Sequence, residues 1–140
     1  MSQSAVIDHT SPSVLVAIVN YRTGPLVCQG LEALAEERAR YAGRLQAVVV
    51  DNASGDDSAS VIEARVQSRG WGDWVRVVRS SINGGFSFGN NLALRTSVDA
   101  GFRPDLVWLL NPDTRVKPGA AGALVDFLAR NPRAGICGSR

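Results

Sequence analysis

Short apolar runs alternate along this chain with stretches in which apolar residues return every three or four positions. Val14 to Val19 (VLVAIV) is continuously apolar, the pattern of a strand covered on both faces. After Gly24-Pro25, the residues Val27, Leu31 and Leu34 recur at helical spacing, with Glu32, Glu36 and Arg40 on the other side. That predicts an amphipathic helix. Leu45 to Val50 (LQAVVV) predicts a second buried strand, stopped by Asp51-Asn52-Ala53-Ser54-Gly55. Asp56, Asp57 and Ser58 then offer N-caps to a helix carrying Ile62 and Val66. Trp74 to Val78 predicts a third, shorter strand, and the loop Ser80 to Gly85 leads into a helix through Asn90, Leu94 and Val98 that stops near Gly101. Asp105 to Leu110 (DLVWLL) predicts a fourth strand, broken by Asn111-Pro112-Asp113. Pro118 suits the first turn of a last helix with an apolar stripe at Ala121, Leu124, Val125 and Leu128. Asn131-Pro132 ends that helix, and Ala134 to Cys137 is expected to begin a fifth strand.

Strand and helix alternating at this spacing predict an α/β layered domain with a mostly parallel sheet. Ligands of such sheets bind at the carboxyl ends of the strands. Those ends are Asn20-Tyr21, Asp51-Asn52, Ser80 to Gly85, and Asn111-Pro112-Asp113. The polar signatures of the chain fall there, which is the first argument for a binding site.

Composition narrows the function by exclusion. With 140 residues the chain suits one domain that needs no metal or disulfide staple. A net charge of +2, with 15 Lys and Arg spread along the chain, argues against a nucleic-acid partner. Cys28 and Cys137 have no metal-ligand spacing; two packed, reduced thiols fit them better than one disulfide. No stretch approaches the about 20 apolar residues of a membrane span. Residues 1–12 are polar and read as a disordered tail, not a signal peptide. The single histidine, His9, lies in that tail, which argues against chemistry needing a buried imidazole. Trp71, Trp74 and Trp108 fit packing better than stacking on a ligand.

Three strand ends carry candidate chemistry, each with a plainer alternative. Asp51 follows an apolar strand, so its carboxylate can accept from a base N–H or a ribose hydroxyl; equally, it can begin a turn or cap a helix. Asn83-Gly84-Gly85-Phe86 joins a strand to a helix, where glycines admit a ligand to the backbone and free N–H groups attract an anion. The alternative is an ordinary turn. In Asn111-Pro112-Asp113-Thr114 the proline fixes φ and the aspartate can offer oxygen to a hard divalent cation, although most Pro-Asp turns bind nothing. Asn90 and Asn91 can touch a sugar or bond locally.

Four segments now occur in one order and spacing: VAIVNYRTGPL, VVVDNASGDDS, NGGFSFGNNLAL and WLLNPDTRV. Together they resemble the family-two inverting glycosyltransferases of the GT-A fold, in particular the rhamnosyltransferase-like and galactofuranosyltransferase-like branch. The resemblance runs from Val14 to about Ser139. It implies a Rossmann-like GT-A domain, truncated, with residues 13–140 forming the nucleotide-sugar-binding portion. Asn20 and Tyr21 would line the nucleotide pocket, and Asp51 would bind the base. Asn83, Gly84, Gly85 and Phe86 would wall the diphosphate and sugar, with Asn91 and Asn111 also on the donor. Asp113 stands at the metal position of the family's Asp-x-Asp motif, so it would meet a divalent cation, Mn²⁺ or Mg²⁺, and Asn111 replaces the first aspartate. Phe88 stands where smaller residues are usual.

The resemblance further implies a dTDP- or UDP-linked sugar as donor and a saccharide or lipid-linked acceptor. The two reduced thiols fit a cytoplasmic location, with contact to the inner membrane face open. The acceptor portion and its catalytic base would follow Arg140, so no catalytic base is assigned within these residues. This predicts poor sugar transfer by the chain alone and exposed apolar surface that favours self-association. A domain that only binds a nucleotide or a partner is the rival reading. A nicotinamide oxidoreductase is disfavoured, because Asn20-Tyr21-Arg22-Thr23 lacks the glycine turn that such enzymes need after the first strand.

Overall fold

A computed structural model describes residues 11–139. Its elements are β1 (Val14–Asn20), α1 (Gly24–Arg40), β2 (Leu45–Asp51), α2 (Ser58–Arg69), β3 (Val75–Arg79), α3 (Phe86–Asp99), β4 (Leu106–Leu109) and α4 (Ala120–Arg130). The strands form one sheet in the order β3-β2-β1-β4, and every neighbouring pair is parallel. The expected α/β architecture is what forms.

Alternating residues of β1 and β2 serve two cores. Val14, Val16 and Ile18 of β1 join Val49 of β2 against Val27, Leu31 and Leu34 of α1 and Ile62 of α2. Leu15 and Ala17 join Val48 and Val50 beneath Ala93 of α3 and Phe102. This explains the unbroken apolar runs of β1 and β2, because both of their faces are covered. Trp71, Trp74 and Trp108 all pack on the first core, as expected of packing residues. Among the described residues both cysteines are free thiols, and no helix is long and apolar enough to cross a membrane. His9 and most of the expected tail, residues 1–10, lie outside the described residues; Pro12 is tied down by the Tyr41 hydroxyl, which donates to its carbonyl at 2.6 Å.

Two expectations need correction, and one helix face departs from its apolar pattern. The expected strand at Ala134 to Cys137 is absent among the described residues. Ala134 N–H closes a turn on the Asn131 carbonyl (2.8 Å), Ile136 is 91% exposed, and Cys137 Sγ lies 3.7 Å from the Leu124 carbonyl of α4. The segment therefore follows α4, and β4 ends the sheet with nothing paired on its outer side among the described residues. Pro118 is not in the first turn of α4, which begins at Ala120 after Gly119 in a left-handed conformation (φ 83°). The inner face of α3 is Gly89, Asn90, Ala93 and Ser97, while Leu94 is exposed. Small side chains let this helix lie close on β1 and β2, so its apolar residues do not mark its inner stripe.

Candidate functional site

Strand order places a crevice at a defined point. The chain leaves β1 through α1 on one face, and it enters β4 from α3 on the opposite face. Between β1 and β4 the order therefore reverses, and open parallel sheets bind ligands outside the strand ends at such a point.

The ends of β1 and β2 are in register, with Asn20 beside Asp51. The Asn20 amide donates to Asp51 Oδ1 (2.8 Å) and to Ser54 Oγ (3.3 Å), and the Ser54 hydroxyl donates to the same carboxylate oxygen at 2.6 Å. Asn20 Oδ1 in turn accepts from the Thr23 N–H (3.2 Å) and hydroxyl (2.8 Å), which sets the turn into α1. Asp51 is only 6% exposed. Its second oxygen takes one long bond, from Ser54 N–H at 3.3 Å, and so keeps capacity for another donor.

Two non-glycine residues with positive φ flank this network, Arg22 (56°) and Ala53 (57°). Such conformations carry strain and persist where the surroundings dictate them. Ser54 supplies that constraint at Arg22: its Oγ accepts the Arg22 N–H at 2.9 Å, and its carbonyl accepts Arg22 Nε at 3.0 Å. The Arg22 guanidinium also lies 5.0 Å from the ring centroid of the exposed Tyr21, a cation–π distance.

Asn52 joins the β2 end to the loop before α3. Its amide donates to Asn83 Oδ1 (2.9 Å) and to the Gly85 carbonyl (3.2 Å), while Gly85 N–H donates to the same Asn83 oxygen at 3.0 Å. Gly85 caps α3 with φ 88°, a value that suits glycine, and no side chain caps the helix. The first N–H groups of α3 are thus left for an anion. Phe88 folds back on Gly84, where a side-chain carbon would collide with its ring. Phe86 and Asn91 are exposed. Asn52 Oδ1 and Asn90 Oδ1 are buried acceptors with no hydrogen-bond partner.

Beyond β4, Thr114 N–H bonds to the Asn111 carbonyl at 3.0 Å and closes the turn that carries Asp113. Leu110 N–H donates to the Ala17 carbonyl of β1 (2.9 Å), so this turn follows directly alongside β1. Asn111 and Asp113 are exposed, and Asp113 makes no hydrogen bond or ion pair among the described residues. Those residues hold no group of three His, Cys, Asp or Glu side chains fit to bind a metal alone.

The structure thus joins Asn20 with Asp51, and Asn83 with Gly85, into one bonded rim. No hydrogen bond among the described residues ties Tyr21, Asn91 or Asp113 to it. Sequence reasoning missed Ser54 and Asn52 as its linchpins, although both lie inside the polar stretch after β2. It also missed Glu37, whose carboxylate reaches the start of α4 from the inner side of α1.

Comparison with known proteins agrees with this architecture. No curated protein matches the chain in sequence. Among solved structures, the mannosyltransferase PcManGT from Pyrobaculum calidifontis, in complex with GDP-Man and Mn²⁺, superimposes with a TM-score of 0.71 at 24% identity over 85% of this chain and 33% of that one. S. aureus TarS in complex with UDP-GlcNAc gives a TM-score of 0.64 at 18% identity over 84% of this chain and 31% of that one. At these identities the likeness is one of fold, and the chain spans about a third of either protein. The family model described as glycosyl transferase family 2 matches residues 13–140, nearly the entire chain, and the chain belongs to that family.

Proposed function

We propose that this chain is the donor-binding part of an inverting glycosyltransferase, holding a nucleoside-diphosphate sugar across the ends of β1, β2 and β4. The observation that carries the proposal is the uncapped N-terminus of α3 bonded into the Asn20–Asp51 rim, with the unpaired Asp113 across the crevice. Tyr21, which is exposed, lines the nucleotide pocket; Asn20, expected there as well, is fully buried and instead holds Asp51 from behind, and Asp51 receives a base or ribose donor on its less engaged oxygen. Asn83, Gly84, Gly85 and Phe86 wall the diphosphate, whose charge suits the amides of α3. Asn91 and Asn111 contact the sugar side.

A single exposed carboxylate does not make a metal site alone. It fits a Mn²⁺ or Mg²⁺ ion whose other ligands are diphosphate oxygens and water. Asp113, with Asn111 beside it, is the residue that would hold the cation; bound there, the cation would offset the charge of the departing nucleoside diphosphate. The solved relatives in complex with GDP-Man and Mn²⁺ or with UDP-GlcNAc support a donor of this class. The four matching segments resemble the rhamnosyltransferase-like and galactofuranosyltransferase-like branch and favour a dTDP- or UDP-linked sugar as donor. The same reading takes a saccharide or lipid-linked acceptor, and the two free thiols, Cys28 and Cys137, support a cytoplasmic location.

Calorimetric titration with UDP, dTDP, GDP and NAD, each with and without Mn²⁺, tests the proposal. Tighter binding of a nucleoside diphosphate with Mn²⁺ is expected. Preference for NAD, or affinities indifferent to Mn²⁺, would overturn it.

A further inference from the structure

The turn that carries Asp113 does not hold itself in place. Asp113 is exposed and unbonded among the described residues, and the stretch between β4 and α4 has no regular structure beyond the turns at 111–114 and 117–120. Helix α1 grips this stretch at three points. At Gly30, a side-chain carbon would stand 2.9 Å from the Thr114 carbonyl oxygen and 3.8 Å from that of Pro112, so glycine is what lets the turn lie on the helix. One residue earlier, Gln29 accepts a hydrogen bond from the Arg115 guanidinium. Two helical turns beyond Gly30, on the same face, is Glu37.

Glu37 is 2% exposed, and both oxygens of its carboxylate accept a hydrogen bond. Oε2 accepts the Gly119 N–H at 2.7 Å, and Oε1 accepts the Ala121 N–H at 2.8 Å. An anion at a helix N-terminus satisfies amides that otherwise lack partners and meets the positive end of the helix dipole. Helix α4 has no side-chain cap of its own, so the cap comes from α1. One helix therefore holds this stretch directly beside Asp113, at Thr114 and Arg115, and again at Gly119.

We propose that Gly30 and Glu37 are positioning residues for Asp113, setting where its carboxylate meets the cation and diphosphate. The proposal rests on the donor-binding reading above and adds that α1, not the turn, determines metal geometry. Residues that orient a ligand without touching the metal change metal affinity by about 10–100-fold.

The experiment compares the unchanged chain with Gly30→Ala, Glu37→Gln, Gln29→Ala and Asp113→Ala. For each, free Mn²⁺ is followed by electron paramagnetic resonance during titration with UDP, dTDP and GDP, and nucleotide affinity without metal is measured by calorimetry. Gly30→Ala and Glu37→Gln are expected to weaken Mn²⁺-dependent binding about tenfold while leaving metal-free affinity unchanged. A purely structural role would lower both affinities together, and that result overturns the proposal. So does an unchanged Mn²⁺ response in Gly30→Ala or Glu37→Gln when Asp113→Ala has lost it. Should Glu37→Gln fail to fold, Gly30→Ala carries the test. Should that fail too, the exposed Gln29→Ala carries it, with a loss of several-fold expected in the Mn²⁺ arm alone. A Mn²⁺ response that survives in Asp113→Ala overturns the donor-binding assignment of Asp113 and this proposal with it.

Discussion

The side-chain amide of Asn20 bonds the Asp51 carboxylate at 2.8 Å, directly across the paired ends of β1 and β2. Asn20 is fully buried, and its own oxygen is occupied by Thr23. The pair thus fixes the mouth of the crevice and the start of α1 together. Removing one member leaves buried polar groups without partners, at a cost of about 1–3 kcal/mol. Asn20→Ala should lower unfolding stability by that amount in urea titration. A change within error would mean that the rim repacks without it.

Asp51 has a second expected role that stability does not report. If Asp51 binds the base or ribose, Asp51→Asn should weaken nucleoside diphosphate binding with and without Mn²⁺ alike. Asp113→Ala should remove only the Mn²⁺-dependent part, by tenfold or more, about 1.4 kcal/mol. Calorimetry on both variants separates the roles, with circular dichroism confirming the fold. Equal affinity of the Asp51 variant and the unchanged chain would leave Asp51 as a turn residue alone.

Asp105, at the entry to β4, accepts both the N–H and the hydroxyl of Ser13 at 2.7 Å. These bonds hold its carboxyl below the ordinary carboxylate range. A depressed value in the folded state stabilises the fold above the unfolded pKa, about 3.9, and that contribution is lost as pH falls through the folded value. Asp105→Asn should therefore flatten the acid limb of the stability profile below about pH 4. An acid limb identical to that of the unchanged chain would show that Ser13 does not act on it.

The two thiols should react at different rates. Burial pushes the Cys28 thiol above its usual range, and Cys28 points from α1 toward the Val61 carbonyl of α2. Cys137 is only half buried. Since the thiolate is the reactive form, iodoacetamide at neutral pH should label Cys137 first, read by mass spectrometry of the native chain. Both should label alike in urea, and native labelling of Cys28 at the rate of Cys137 would contradict the packing described.

The legible parts of this fold were those in which one residue type does one job. Apolar runs in β1 and β2 are buried on both faces, so hydrophobicity alone revealed them. The inner face of α3 was not legible as an apolar stripe because it is built from Gly89, Asn90, Ala93 and Ser97, where closeness to the sheet counts for more than apolarity. The segment at Ala134 to Cys137 has strand-like composition, but strand pairing is a long-range event that composition does not specify. Glu37 lies three residues after Leu34 and six after Leu31, on the inner stripe of α1. An acid on an apolar stripe signals a buried partner, though not that the partner is the backbone of a helix about 80 residues away. At the site, the strand ends were visible as polar breaks, but the bonds among Asn20, Asp51 and Ser54 depend on β1–β2 register, which appears only on folding.

Sheet order has a consequence for how the chain assembles. β1, β2 and β3 are neighbours in both sequence and space, whereas β4 must travel from the far edge to reach β1. Each early pairing closes a loop of one helix, while the β1–β4 pairing brings together Val14 and Leu106 across about two thirds of the chain. Loop-closure entropy grows with separation, and distant pairings are slow to form. The three-stranded unit should therefore appear first, with β4 and α4 docking late. The candidate metal turn would then be among the last parts to acquire shape and the first to open. In native-state hydrogen exchange, amides of β4 should lose protection at a lower opening free energy than those of β1 and β2.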